Sequence, residues 1–202
     1  MRVIAGKYRG RRLKSPPSLQ TRPTSDRLRE TLFNILAPRI EGARFLDLCA
    51  GAGAVGIEAL SRGAAHVTFV DQSRKICALI EANLGILAIG EDEITVINAK
   101  ARTFLQRFMK AETKPSLTVG LLPRVTAPFD IIFFDPPYAH DYGVALNYLG
   151  QNSKRLLTDD AIVIVEHHKK KELPAEIGTL HRYRGVRQGD SSLSFYRIVG
   201  AT

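Results

Sequence analysis

The chain has 202 residues and a formal charge of +9, and 45% of its residues are hydrophobic, which is enough for one folded domain with a full core. It contains two cysteines and no apolar stretch of membrane-spanning length, so a disulfide scaffold and an integral membrane protein are excluded. We therefore expect a protein of the reducing cytoplasm.

The charge is concentrated at the two ends of the chain. Residues 1–30 hold nine Lys/Arg and two Asp/Glu, residues 31–165 hold 13 and 14, and residues 166–202 hold seven and four. Basic ends around a neutral middle are typical of proteins that bind a polyanion, although a basic run is also often solvated surface. The pattern favours a nucleic-acid partner.

The first predicted element is a short basic β-hairpin that includes Gly6 and Gly10 as turn residues. Pro16 and Pro17 then break the chain. We predict that residues 1–20 form a basic arm and that residues 21–202 form the main domain. Arg22, just beyond the arm, can face either a cofactor or a substrate. The other candidate nucleic-acid contacts are the cations of the arm: Lys7, Arg9, Arg11 and Arg12.

A helix is predicted next, capped by Ser25 and ending before Pro38. Its apolar face carries Leu28, Leu32, Ile35 and Leu36. A strand over residues 45–48 follows, and it leads into a glycine-rich turn.

That turn has the spacing of a nucleotide-binding site. Gly51, Gly53 and Gly56 match GxGxxG, and the next predicted strand ends in Asp71, where an acid can bind ribose hydroxyls. Asp47 lies four residues before the first glycine, where it would repel the pyrophosphate of NAD but attract the ammonium and sulfonium of S-adenosylmethionine. The turn therefore favours S-adenosylmethionine, with NAD as the alternative.

Strands and helices continue to alternate along the chain, which predicts an α/β protein with a mostly parallel sheet. The remaining strands are predicted at residues 94–97, 131–134, 161–165, 180–183 and 193–199, for seven in all, and the last two form a hairpin around Gly189. The remaining helices are predicted from Ser73 and near residues 101–111 and 142–156. Residues 112–129 lack periodicity and are predicted to form a loop.

The apolar strand at residues 131–134 leads into a candidate catalytic loop, Asp135-Pro136-Pro137-Tyr138. The Asp135 carboxylate and the Pro136 carbonyl can accept the two hydrogens of a nucleobase amine, which frees the nitrogen lone pair for attack. Tyr138 can stack on the base. Alone, this tetrapeptide fits a strand end and a turn equally well. Together with the cofactor turn, it predicts direct methyl transfer to a planar amine without a metal or a covalent enzyme intermediate.

Several motifs occur in order along the chain: Gly6-Lys7-Tyr8-Arg9-Gly10-Arg11, Arg22-Pro23-Thr24, Leu32-Phe33-Asn34, Asp47 to Gly63, Asp135 to Tyr138, and Gly189-Asp190-Ser191 with Ser194-Phe195-Tyr196. In this order and spacing the chain resembles the RsmD family of bacterial 16S rRNA guanine-N2 methyltransferases over nearly its whole length. The resemblance implies a class I methyltransferase (Rossmann-like) fold with a C-terminal antiparallel hairpin.

The resemblance also implies the reaction and its partners. S-adenosylmethionine would be the donor and S-adenosylhomocysteine the product, and a monomer would methylate guanine N2 of 16S rRNA in an assembling 30S subunit. Implied cofactor contacts are Asp47, Ala50, Gly51, Gly53, Asp71 and Ala101. Lys100 departs from the family, which usually has Asp or Asn at this position. Lysine cannot accept a hydrogen bond from the adenine amine, so the resemblance does not supply this contact.

Three other functions remain open at this point. A DNA adenine-N6 or cytosine-N4 methyltransferase shares the acid-Pro-Pro-aromatic loop, but the chain shows no target-recognition domain beyond the arm. Protein-glutamine methyltransferases resemble Asn-Pro-Pro-Tyr instead of Asp-Pro-Pro-Tyr. A non-catalytic RNA-binding module would explain the charge and leave Asp47 and Asp135 without a role.

Overall fold

The computed structural model describes residues 1–16, 24–111, 128–136 and 143–200, without the side chains of residues 109–111. The α-helices in these residues are α1 Asp26–Leu36, α2 Ala54–Ser61, α3 Arg74–Ile86, α4 Ala101–Ala111, α5 Gly143–Gln151 and α6 Ser153–Leu156. The strands are β1 Arg44–Leu48, β2 His66–Asp71, β3 Ile94–Asn98, β4 Phe129–Phe134, β5 Leu157–His168, β6 Glu176–Ile177, β7 Leu180–Gln188 and β8 Ser191–Ile198.

All eight strands form one sheet in the order β3-β2-β1-β4-β5-β8-β7-β6. The first five in this order are parallel, and β8, β7 and β6 are antiparallel to their neighbours. This confirms the predicted Rossmann-like sheet with a C-terminal antiparallel hairpin. The predicted count of seven strands was wrong because β6 has two residues, too few to give an alternating pattern.

Helices cover both faces of the parallel part of the sheet. Helices α1, α2 and α3 pack on one face, where Phe45 of β1 lies among their apolar side chains. Helices α4, α5 and α6 pack on the other, where the neighbouring Leu46 and Leu48 lie. The predicted cap of α1 is confirmed, since Ser25 Oγ accepts a hydrogen bond from Leu28 N. Two covered faces explain why the central strands are apolar at nearly every position.

Several predicted element bounds differ from the structure. Strand β7 extends to Gln188 instead of residue 183, and β8 covers Ser191–Ile198 instead of residues 193–199. The predicted helix at residues 142–156 is two helices separated by Asn152, whose backbone leaves the helical region at φ −113° and ψ 13°. Strand β5 extends beyond the predicted residues 161–165 at both ends, because β4 pairs with Leu157 at its start and β8 pairs with its end up to His168. Phe129, assigned to a loop, begins β4 and is buried. The rest of that predicted loop, residues 112–127, lies outside the described residues.

The N-terminal segment forms the predicted short hairpin, with one antiparallel bridge between Arg2 and Arg12. Across it, Val3 N donates to Arg11 O at 3.0 Å, Gly10 N to Val3 O at 2.9 Å and Leu13 N to Met1 O at 3.0 Å. The pairing stays short because Ile4 N and Ala5 N donate to the carboxylate of Glu58 on α2, at 2.8 and 3.0 Å. The apolar side chains of the segment are buried in the main core: Val3, Tyr8 and Leu13. The segment is therefore bonded to the face of the domain that carries α2.

In the part of the chain that the structure describes, no helix combines the length and the apolar character needed to cross a membrane.

Candidate active site

Four carboxylates lie at the carboxyl ends of neighbouring parallel strands. Asp47 is near the end of β1, Asp71 ends β2, Asp135 follows β4, and Glu166 lies near the end of β5. Since β4 is paired with β1 through Phe134 and Leu48, and with β5 through Phe134 and Val165, these ends lie at one edge of the sheet. Ligands of open α/β sheets bind at this edge. The structure thus brings together the predicted Asp47, Asp71 and Asp135 and adds Glu166.

The glycine-rich turn runs from β1 across the end of β2. The N–H groups of Cys49 and Ala50 both donate to Val70 O at 2.9 Å, and Gly53 N donates to Ala50 O at 2.9 Å. Gly53 has φ +76° and is the N-cap of α2, a conformation that a side chain would strain. Without a side chain at Gly53, the backbone of the turn can approach a ligand closely, as a nucleotide-binding turn requires.

Asp71 connects this turn to helix α3. Its Oδ2 accepts Gly51 N at 3.1 Å and its Oδ1 accepts Ser73 N at 2.8 Å. Burial raises the pKa of Asp71, and these two N–H groups oppose the rise. Each carboxylate oxygen keeps a further lone pair, so the side chain can still accept a hydrogen bond from a hydroxyl group.

Asp47 is buried beneath the turn, with an exposed fraction of 1%. Its Oδ2 accepts the N–H of Gly56 in the first turn of α2 at 2.9 Å. Burial raises the pKa of Asp47 to about 7, the bond from Gly56 opposes this rise, and the charge of Asp71 adds to it. Asp47 therefore joins β1 to α2 and adds negative charge to the site at neutral pH.

Gly56, the third glycine of the motif, is required by packing. A Cβ placed on Gly56 would lie 2.3 Å from an atom of the Phe69 ring on β2. The absence of a side chain lets α2 pack closely on the sheet, and α2 begins directly after the turn.

Asp135 and Glu166 form the second half of the acidic cluster. Asp135 is partly exposed, and its N–H donates to Leu48 O at 3.3 Å. Glu166 is 3% exposed, and its Oε2 accepts the hydroxyl of Thr24 at 2.9 Å. Burial raises the pKa of Asp135 well above its usual value, and the charges of Glu166 and then Asp47 raise it further.

Cys49 lies among these acids, and its backbone has φ +74°. Burial, together with the charges of Asp71, Asp135 and Asp47, raises the pKa of its thiol. The thiol therefore stays neutral at physiological pH, and a neutral thiol is a weak nucleophile. Cys49 is therefore poorly suited to act as a nucleophile.

The charge of the site favours a cationic ligand. Four carboxylates share one edge of the sheet, where partial burial strengthens their field. The described residues contain no group of three or more His, Cys, Asp or Glu side chains arranged to hold a metal ion.

The predicted adenine contact lies at the start of α4. Lys100 is exposed there, and Ala101 is partly buried against the core cluster that contains Leu46 and Leu48.

The other predicted site residues fall into three groups. Pro136 is buried behind Asp135, whereas Pro137, Tyr138 and Arg22 lie outside the described residues. The arm cations Lys7, Arg9, Arg11 and Arg12 are exposed. Glu166 was missed, although a single acid at the end of the apolar run 161–165 repeats the position of Asp135 after β4. That repetition was the available signal.

Comparison with known proteins gives consistent matches. The family model described as Conserved hypothetical protein 95 matches residues 1–197. YlbH of Bacillus subtilis is 36% identical over 200 residues, which are 99% of this chain and 100% of YlbH. Ribosomal RNA small subunit methyltransferase D of Escherichia coli K12 is 38% identical over 191 residues, 93% of this chain and 86% of that protein. The solved structure of yhhF from Escherichia coli is 35% identical with a TM-score of 0.78, covering 98% of this chain and 97% of that one.

Proposed function

The chain belongs to the family described as Conserved hypothetical protein 95, the RsmD family, and we propose that it is an S-adenosylmethionine-dependent methyltransferase of guanine N2 in small-subunit rRNA. The rRNA substrate is the one in the name of the Escherichia coli relative. The guanine N2 position comes from the resemblance of the motifs. The observation that carries the proposal is the position of Asp135, directly after β4 and next to the end of β1, where the glycine turn starts.

The residues present fit S-adenosylmethionine. A Cβ at Gly51 would meet no atom within 4 Å, so the backbone of the turn faces open space. Asp71 keeps acceptor capacity for ribose hydroxyls, and the carboxylates favour a cation. When bound, S-adenosylmethionine would supply a methyl group that its positive sulfur makes electrophilic.

Asp135 is the proposed acceptor for the substrate amine. In its ionised form the carboxylate can accept one amine hydrogen, and the Pro136 carbonyl can accept the other, so the nitrogen lone pair points away from the ring. Because the pKa of Asp135 is raised, this carboxyl ionises at higher pH than an ordinary aspartate. A positive charge in the site favours the ionised form. Asp135 or water can then take the proton that the nitrogen loses.

The substrate base has to leave its stack to reach Asp135. Extrusion costs a few kcal/mol in a duplex and less in a loop or junction, which makes exposed RNA the better substrate. In this proposal Tyr138 replaces the lost stacking, and the exposed arm cations bind phosphates. We further propose that a monomer acts on the assembling 30S subunit in the cytoplasm.

Two alternatives make different predictions. A DNA amine methyltransferase would transfer methyl groups to adenine N6 or cytosine N4. A non-catalytic RNA-binding module would bind RNA and transfer no methyl group. The acidic cluster supports the enzyme over the module, because buried carboxylates raise the free energy of the fold without helping to bind a polyanion.

The test is to identify the methylated nucleoside. The purified chain is incubated with methyl-tritiated S-adenosylmethionine and unmodified 16S rRNA, either naked or assembled with small-subunit proteins, with duplex DNA as a parallel substrate. We expect labelled N2-methylguanosine after digestion of the RNA. Label in DNA, or in adenosine or cytidine, would contradict the proposed specificity. Absence of label on every substrate, with RNA still bound, would favour the binding module.

A further inference from the structure

A concave groove of about 410 Å³ lies on the antiparallel part of the sheet. Its floor is formed by β8 and the end of β5, and its rim is formed by β7 and the turn after β5. Most of the charged residues that line the groove are basic, and Glu172 is the one acid among the described lining residues. The basic residues are Lys169, Lys171, Arg182, Arg184 and Arg187.

The floor of the groove consists of buried polar groups. His167, Ser192 and Ser194 are each at most 5% exposed. His167 Nε2 lies 2.9 Å from Ser194 Oγ, and its Nδ1 lies 3.1 Å from His168 O. Ser192 Oγ is buried and has no hydrogen-bond partner among the described residues. A buried hydroxyl with no partner is costly, so a ligand able to hydrogen-bond there would lower that cost.

The charge of the groove is opposite to that of the active site. Lys169 Nζ pairs with Asp190 at 2.8 Å, and Arg182 donates to Leu173 O at 3.0 Å. Arg184 and Arg187 are exposed on β7. A basic surface alone is often only solvated. Here the cations surround a concave floor that carries a buried hydroxyl without a partner, and this combination suits phosphate oxygens.

The groove begins next to the active site along the chain. His167 on its floor directly follows Glu166, whose charge acts on Asp135. The two sites therefore share the carboxyl end of β5, with the acidic cluster to one side and the basic groove to the other.

We propose that this groove binds the ribose-phosphate backbone of the substrate RNA next to the methylated nucleotide. The proposal rests on the proposed function, because it assumes that the target base is presented to Asp135. It gives the C-terminal hairpin a role of its own, separate from the N-terminal arm. Two basic surfaces would then hold the RNA on either side of a neutral to acidic centre.

Gly185 offers the sharpest test. It is exposed on β7 and lines the groove, and a Cβ placed there would meet no atom within 4 Å. Gly185→Asp adds one negative charge to the groove, and Gly185→Asn is its neutral match of nearly equal size. Relative to Gly185→Asn, we expect Gly185→Asp to weaken binding of a 16S rRNA fragment at least about fivefold, as for one like charge near a phosphate.

The salt dependence of RNA binding provides a second readout. Arg187→Gln should lower the slope of log K against log salt by about 1, the loss of one phosphate contact. Lys154→Gln is the control, because Lys154 is exposed on α6 at the opposite end of β5 and should leave the slope unchanged. S-adenosylmethionine affinity and melting temperature should match the wild type in every variant.

The outcomes distinguish the groove from the reaction. If the wild type methylates RNA but Gly185→Asp binds RNA as Gly185→Asn does, the groove proposal is overturned. If the wild type transfers no methyl group while Gly185→Asp still weakens RNA binding, the groove is supported as an RNA-binding surface and the proposed function fails. Equal salt slopes for Arg187→Gln and Lys154→Gln would also overturn the groove.

Discussion

Asp135 and Glu166 extend from neighbouring strands at the same edge of the sheet, and the charge of Glu166 raises the pKa of Asp135. A nearby negative charge disfavours the ionised form of a carboxyl group. Glu166 is held in place by Thr24, whose hydroxyl donates to it at 2.9 Å. We infer that Glu166 is a positioning residue that sets the pH range in which Asp135 is ionised.

Replacement of Glu166 should therefore shift the pH dependence of the reaction. Glu166→Gln keeps an oxygen acceptor for Thr24 and removes the charge, so the pKa of Asp135 should fall. We expect the acid limb of the single-turnover rate profile to move to lower pH. Glu91→Gln, at an exposed acid before β3, is the control and should leave the limb in place. If the acid limb of the rate profile lies at the same pH for Glu166→Gln and the wild type, this role is contradicted.

Asp47 should make the protein less stable as the pH rises. Its folded pKa of about 7 lies above the unfolded value of about 3.9, so unfolding releases a proton between these values. The free energy of unfolding should therefore fall by up to about 1.4 kcal/mol per pH unit from this group between about pH 4 and pH 7.

Asp47→Asn tests this, because it retains an acceptor for Gly56 N and cannot ionise. Urea unfolding of both proteins at pH 5, 6, 7 and 8 should show that the variant gains stability relative to the wild type as the pH rises. A constant difference across this range would show that the Asp47 carboxyl does not titrate there.

Two glycines in neighbouring helices should respond in opposite ways to alanine. Gly56→Ala forces a Cβ against the Phe69 ring, and overpacking of this kind typically costs about 1–3 kcal/mol. Gly85→Ala in α3 meets no atom within 4 Å, so it should stabilise by about 0.5–1 kcal/mol through higher helix propensity. Denaturant unfolding measures both. A neutral Gly56→Ala would show that α2 does not depend on close packing against β2.

The N-terminal arm should contribute charge without contributing to cofactor binding. Replacing Arg9, Arg11 and Arg12 with glutamine should weaken rRNA binding and lower its salt slope by up to about 3, one for each lost phosphate contact. The matched replacement of all three by lysine keeps the charge and should retain most of the slope. An unchanged slope in the glutamine variant would remove the arm from the RNA interface.

Local signals in the sequence were sufficient for the elements that carry the cofactor turn. The apolar run before Asp47, the spacing of Gly51, Gly53 and Gly56, and Asp71 after the second strand all depend on near neighbours in the chain. The sequence also predicted the N-terminal hairpin but not its attachment to α2, because Ile4 and Ala5 bond to Glu58, more than 50 residues away, and periodicity does not register such a partner.

The missed part of the site has a similar physical cause. Glu166 belongs to the cluster because β5 is the neighbour of β4, and this depends on the strand order of the folded sheet. The sequence shows a buried strand with an acid near its end, but not which other acid it meets. The raised pKa values of Asp47 and Asp135 likewise come from burial and from charges on separate strands.

The most direct test of the central claim is the single-turnover methyl-transfer rate of Asp135 variants, measured with S-adenosylmethionine saturating and its dissociation constant determined in parallel. Asp135→Ala removes the acceptor for the amine and should lower the rate by at least about 10²-fold, as for the loss of one electrostatic group in other active sites, while the cofactor still binds. Asp135→Asn keeps one oxygen acceptor, so its rate should lie between those of the wild type and Asp135→Ala. A wild-type rate from Asp135→Ala would contradict the account.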